Sequence, residues 1–155
     1  MIRYAGIGSR ETPVPELIKI RALGQSYARQ GMLLRSGGAR GADNAFESGC
    51  DLEGGPKEIF TPEMASYDAI IMASLFHTKW EGMPDGIQAL LARNCMVILG
   101  GDLKTPVDLV VCWTPNGEEI GGTGHALRIA RHHGISIVNL GSPKEEKAKL
   151  EFFGI

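Results

Sequence analysis

The chain lacks several features that would assign its class at once. No apolar run reaches the roughly 18 residues that a membrane-spanning helix needs, so a membrane partner is not expected. Its four histidines, His77, His125, His132 and His133, form no metal-ligand pattern with a cysteine or carboxylate, and no metal is expected. Its three cysteines, Cys50, Cys95 and Cys112, are odd in number and lie in apolar surroundings. With no signal-peptide pattern, they read as reduced, buried thiols of a cytoplasmic protein. The absence of any repeat sets aside collagen-like and low-complexity readings. Strong charge is missing too. The 16 Lys and Arg against 18 Asp and Glu leave a formal net charge of −2, which argues against a protein whose whole surface grips nucleic acid.

What the chain has in excess is glycine, 21 of 155 residues, against a usual level of roughly 7%. The glycines concentrate in two turns, Ser36-Gly-Gly-Ala-Arg-Gly-Ala-Asp43 and Gly121-Gly-Thr-Gly124. Each lies between a strand-like apolar run and a helix-like run. That arrangement makes an anion site, because free amides and the positive end of a helix dipole point at one spot. Two such turns point to a ligand with phosphate. The hydrophobic fraction of 43% suffices for one core at this length. Charge is uneven along the chain: residues 1–50 carry seven basic and four acidic side chains, residues 51–100 three and seven.

Residue spacing predicts strands over 2–8, 32–35, 57–61, 107–113 and 135–140. Helices are predicted from 15 to a stop at Gly31, then over 42–50, 63–76, 87–98 and 125–133. Met64, Tyr67, Ile71 and Leu75 form a stripe on the third helix, and the fourth carries Ile87, Leu90, Leu91, Asn94, Cys95 and Ile98 on one face. Strands alternating with helices predict an α/β, Rossmann-like three-layer fold, with a mainly parallel sheet and helices on both faces. The expected units are a domain over 1–140 and a charged tail over 141–155, whose Phe152-Phe153 docks on the body or on a second subunit.

In such sheets ligands bind at the carboxyl ends of the strands. Gly8, Ser9 and Arg10 follow the first strand, Ser36, Gly37, Gly38, Arg40, Gly41 and Asp43 the second, and Thr114 the fourth. Gly121, Gly122, Thr123, Gly124 and His125 open the last helix. Arg10 and Arg40 suit bidentate phosphate contact. Ser9 and Ser36 can donate to phosphate or cap their own turns. Asp43 can bind ribose or order its turn, and His125 can donate to a phosphate or act as an acid or base. Arg93-Asn94 stands out because a polar Asn lies on an apolar stripe and needs a partner there. Trp113 and Trp80 can stack on a base or pack in the core.

Together these residues resemble the Rossmann-like superfamily that includes the DNA-processing protein DprA (Smf) and the LOG phosphoribohydrolases. Gly8-Ser9-Arg10 is similar to the first-strand motif of DprA, and Ser36 to Asp43 to its Ser-Gly-x-Ala-x-Gly-Ile-Asp turn. Arg93-Asn94 resembles the Arg-Asn pair before the next core strand, and Gly121 to Gly124 the late turn of both families. The matches keep their order across residues 4–140. LOG enzymes carry Pro-Gly-Gly-x-Gly-Thr-x-x-Glu, with the Glu serving N-glycosidic cleavage. Here Ile120 stands for the Pro, His125 for the second Thr and Arg128 for the Glu, so no catalytic residue is assigned. The resemblance implies a nucleotide or nucleotide-derived ligand held without turnover, by a sensor or sponge. A LOG-like N-glycosidase and a DprA-like single-stranded DNA binder are the alternatives. It also implies a homo-oligomer, a dimer or higher. No cofactor is expected.

Overall fold

Apolar residues run along the strand segments and recur at three- and four-residue spacing between them, and the chain folds accordingly. The computed structural model describes residues 1–142. In chain order they form β1 (Arg3–Gly8), α1 (Val14–Arg29), β2 (Leu33–Ser36), α2 (Ala42–Leu52), β3 (Lys57–Ile59), α3 (Tyr67–Ser74), α4 (Asp85–Leu99), β4 (Leu109–Trp113), α5 (Gly121–His132) and β5 (Ser136–Asn139). The strands pair in the order β3-β2-β1-β4-β5, all parallel. This is the expected α/β, Rossmann-like architecture. The chain order reverses between β1 and β4, where sheets of this kind open a crevice.

The period of two in the strands divides the core. Tyr4, Leu34, Leu109 and Val111 pack with Ile20, Tyr27 and Phe46 of α1 and α2. Ala5, Ile7, Val110 and Cys112 pack on the other face with Ala92, Leu127 and Ile129 of α4 and α5. Buried on both faces, β4 is a near-continuous apolar run.

The helix expected over 63–76 is interrupted. A single turn at Pro62–Met64 precedes α3, and Ser66 lies between them in an extended conformation, capping α3 by accepting the Ala69 amide at 3.1 Å. The stripe expected there faces outward, with Tyr67 81% and Leu75 72% exposed. The buried face is instead Ala69 and Ala73, whose small side chains let α3 lie close to α4. The last helix starts at Gly121 itself, inside the glycine turn. Residues 143–155, and with them the expected docking of Phe152-Phe153, lie outside the described residues.

On the opposite face α1 and α2 meet through glycine. A Cβ at Gly49 would land on the Arg21 carbonyl and 2.7 Å from the Gln25 amide; one at Gly24 would lie 2.6 Å from the Phe46 carbonyl. Both obstacles are backbone, so relief requires the helices to separate. Gly49→Ala is expected to lower stability by about 2 kcal/mol or more in urea unfolding. Gly86→Ala, in the first turn of α4 with open space around it, is expected to leave stability unchanged or raise it by about 0.5–1 kcal/mol.

Candidate functional site

The carboxyl edge of the sheet is organised by Asp43, in the first turn of α2. Its Oδ1 accepts the Gly8 amide at 3.1 Å and its Oδ2 the Gly37 amide at 3.2 Å, with the Ala39 amide as a third donor. The Gly37 carbonyl accepts Nη1 of Arg93, which also donates to the Phe60 carbonyl at 3.1 Å. Asp43 and Arg93 are both buried. Burial pushes the Asp43 carboxyl up from 3.8 to about 6, outweighing the Arg93 charge and the three amides that pull it down. Burial also lowers Arg93 from its ordinary value. A Cβ at Gly37 would collide with the Arg93 guanidinium and lie 2.9 Å from Asp43 Oδ2, so a larger residue there would have to displace the clasp.

The first glycine turn therefore carries its own anion. The α2 amides beside it are also engaged: Ala42 donates to the Ser9 carbonyl, Asn44 to Ala39 and Ala45 to Gly41. Ser36 is fully buried, its hydroxyl donating to the Gly6 carbonyl. Arg40 is exposed and pairs with Glu11 at 3.1 Å.

The second turn is the open one. Helix α5 begins without a side-chain cap, and its first intrahelical bond is from the Gly124 amide to the Ile120 carbonyl at 2.9 Å. The amides of Gly121, Gly122 and Thr123 have no partner among the described residues. Asn94, on the inner stripe of α4, fixes this turn by donating to the Gly122 carbonyl at 3.1 Å.

Between the two turns lies a cleft of about 610 Å³ at the strand-order reversal, a size suited to a nucleotide-scale ligand. Eleven residues expected at a site line it: Gly8, Ser9, Arg10, Gly37, Asp43, Arg93, Asn94, Thr114, Gly121, Gly122 and Thr123. Six do not: Ser36, Gly38, Arg40, Gly41, Gly124 and His125. The Thr114 hydroxyl accepts from Asn139 Nδ2 at 2.6 Å, which leaves its own proton to donate. His125 is turned away from the cleft. Fully buried, it lies with Nε2 3.1 Å from the Ala73 carbonyl of α3, and burial lowers its pKa. Its ring fastens α3 to α5, in place of the expected contact with phosphate. Arg128 reaches the Phe76 carbonyl at 3.1 Å and does not line the cleft.

Most of the remaining wall is aliphatic, from Ile7, Ile87, Leu90, Leu91, Ile120 and Ala126, and Glu11, Ala39 and Pro115 complete it. The spacing of Ile87, Leu90 and Leu91 reads as core, and only the Asn94 among them signals that part of this face meets a ligand. Neither tryptophan lines the cleft; Trp113 and Trp80 each pack against a core cluster. Among the described residues, no three of His, Cys, Asp and Glu are arranged to hold a metal ion, and no helix is long and apolar enough to cross a membrane.

No protein-family model and no curated protein matches the chain. Solved structures do. DNA processing protein A from Helicobacter pylori, described for its single-stranded DNA binding mode, aligns with a TM-score of 0.61 at 19% identity, covering 99% of this chain and 73% of that one. The molybdenum cofactor carrier protein of Chlamydomonas reinhardtii aligns at 0.57 and 16%, covering 99% and 86%. DprA from Streptococcus pneumoniae aligns at 0.62 and 15%, covering 99% and 57%. The chain has their Rossmann-like fold. At these identities the likeness is one of fold.

The Asp43 clasp makes stability depend on pH. Between about pH 4 and pH 6 the folded protein keeps a proton on Asp43 that the unfolded chain has released, so this group's contribution falls as pH rises through the window, by up to roughly 3 kcal/mol. The difference between wild-type and Asp43→Asn unfolding free energies, measured in urea at stepped pH, should carry that slope. A difference that grows in favour of the wild type as pH rises means that Arg93 and the amides outweigh burial.

Proposed function

We propose that the protein binds a nucleotide or nucleotide-derived small molecule in this cleft, with a phosphate on the amides of Gly121, Gly122 and Thr123, and holds it without turnover. The observation that carries this reading is the open first turn of α5: three amides without partners among the described residues, at the positive end of a helix dipole, facing a cleft at the strand-order reversal. The aliphatic wall supports a ribose and base lying against Ile87, Leu90 and Ile120.

Binding without cleavage is favoured by the carboxylates. Both oxygens of Asp43 accept amides, and Glu11 is exposed and paired with Arg40. Neither Glu118 nor Glu119 lines the cleft, and Glu119 pairs with Arg131. Of the two carboxylates that line the cleft, Asp43 is thus held by amides and Glu11 sits in an exposed ion pair, an arrangement that favours binding over loss of a base. Two structural neighbours are named for ligands, one for single-stranded DNA and one for the molybdenum cofactor. Sequence-tolerant binding of single strands relies on aromatic platforms, and none of the cleft residues is aromatic.

Native mass spectrometry of freshly purified protein, then denaturation and identification of what is released, tests the reading. An intact nucleotide supports it; a free base with ribose phosphate would make the protein a hydrolase. Gly122→Asp provides the matching variant. An added Cβ meets only ordinary contacts with Leu90 and Asn94, at 3.8 and 3.9 Å, and a carboxylate suits a helix N-terminus. The variant should therefore keep or raise thermal stability while AMP affinity, by calorimetry, falls about tenfold or more.

A further inference from the structure

The cleft contains a second set of donors that the α5 turn does not use. Arg93 is 5% exposed and makes no ion pair among the described residues. Its Nη1 is engaged by the Gly37 and Phe60 carbonyls, its Nε has no partner, and its Nη2 makes no hydrogen bond. Arg10 lines the same cleft, is exposed, and also makes no ion pair among the described residues. It lies near enough for its charge to lower the Arg93 pKa. The neighbouring Arg40, by contrast, is taken up by Glu11. Two guanidinium groups lining one cleft, one of them largely stripped of water, favour an anion held between them. Asp43 and Glu63 supply the negative charge that already acts on Arg93, but Asp43 is held by backbone amides and Glu63 by Thr61 and its own amide, and neither takes up Nη2.

The two donor sets stand apart. Arg93 is anchored on the turn after β2, Arg10 follows β1, and the open amides follow β4. From β2 to β4 is two strand spacings, roughly 10 Å. With a hydrogen bond of about 2.9 Å at each end, a diphosphate reaches across that span only when fully extended and in line, whereas two phosphates on different positions of a ribose span it without that constraint. The wall between them is apolar, with Leu90 and Leu91 of α4 in the cleft lining.

We propose that the ligand carries two phosphate groups at different positions of a nucleoside framework, one on the Gly121–Thr123 amides and the other between Arg10 and Arg93. This rests on the reading of the cleft as a nucleotide site. A nucleoside 3′,5′-bisphosphate and a short dinucleotide share the required chemistry.

Calorimetry at fixed ionic strength with AMP, ADP, adenosine 3′,5′-bisphosphate and the dinucleotide pApA tests it. The bisphosphate or the dinucleotide should bind about tenfold or more tightly than AMP, with ADP showing little of that gain. Whichever of the two binds more tightly identifies the source of the second phosphate. Arg10→Gln, at an exposed and unpaired side chain, should fold and should bring the affinity ratio over AMP toward one. Equal affinity for AMP and both bisphosphorylated ligands overturns the proposal. So does an ADP gain equal to theirs, a ratio that Arg10→Gln leaves unmoved, or an affinity that climbs with the length of a single-stranded oligonucleotide. If AMP binds with no gain from a second phosphate, only this proposal fails; if nothing binds, the nucleotide reading fails with it.

Discussion

The carboxylate of Asp43 is the anion on which the carboxyl edge of the sheet is assembled. It takes amides from the end of β1 and from the turn after β2, while belonging itself to α2. Through the Gly37 carbonyl it shares that turn with Arg93 of α4. Remove it, and the Gly8 and Gly37 amides lose their acceptor while a buried guanidinium loses its nearest compensating charge. The raised pKa of the carboxyl measures the opposition between low-dielectric surroundings, which disfavour the charge, and the donors that surround it.

The clasp divides labour between the two glycine turns. In sequence they look alike, and each suggests a phosphate cradle. In the fold one is closed from within and the other is open. The difference lies in the side chains of the first turn of each helix. In α2 one of them is Asp43, which turns back onto the loop. In α5 the early residues are Gly122, Thr123 and Gly124, and the first large polar side chain along the helix, His125, points to the opposite side and binds α3. The α5 amides are left to whatever enters the cleft.

The architecture was legible because it depends on periodicity. Five strands, the helices between them and the convergence of loops at one edge follow from apolar runs, helical spacing and glycine stops, and β4 could be read as buried from its apolar run. The helix over 63–76 was misplaced because Met64, Tyr67, Ile71 and Leu75 have helical spacing, while the interface is made by Ala69 and Ala73, which carry little hydrophobic signal. Eleven of the proposed site residues line the cleft because strand ends are identifiable without coordinates. The direction of a side chain is not. Ser36 and His125 occupy the expected turns yet point into the protein, and Ile87 and Leu90 belong to an apolar stripe whose upper end faces the cleft instead of the core. Sequence spacing places a residue on an element; it does not tell whether the neighbour across from it is another helix or an opening.

The aliphatic wall has a consequence of its own. Branched alkyl groups hold a flat heterocycle by excluding water, and they do so with little regard for its ring pattern or exocyclic groups. Hydrogen-bond donors held on the backbone of a rigid sheet edge are indifferent to base identity as well, but they tolerate little displacement of the oxygen they receive. On the proposed reading, a pocket built of these two materials would work as a gauge that sorts molecules by the distance between their charges and lets purine and pyrimidine pass alike.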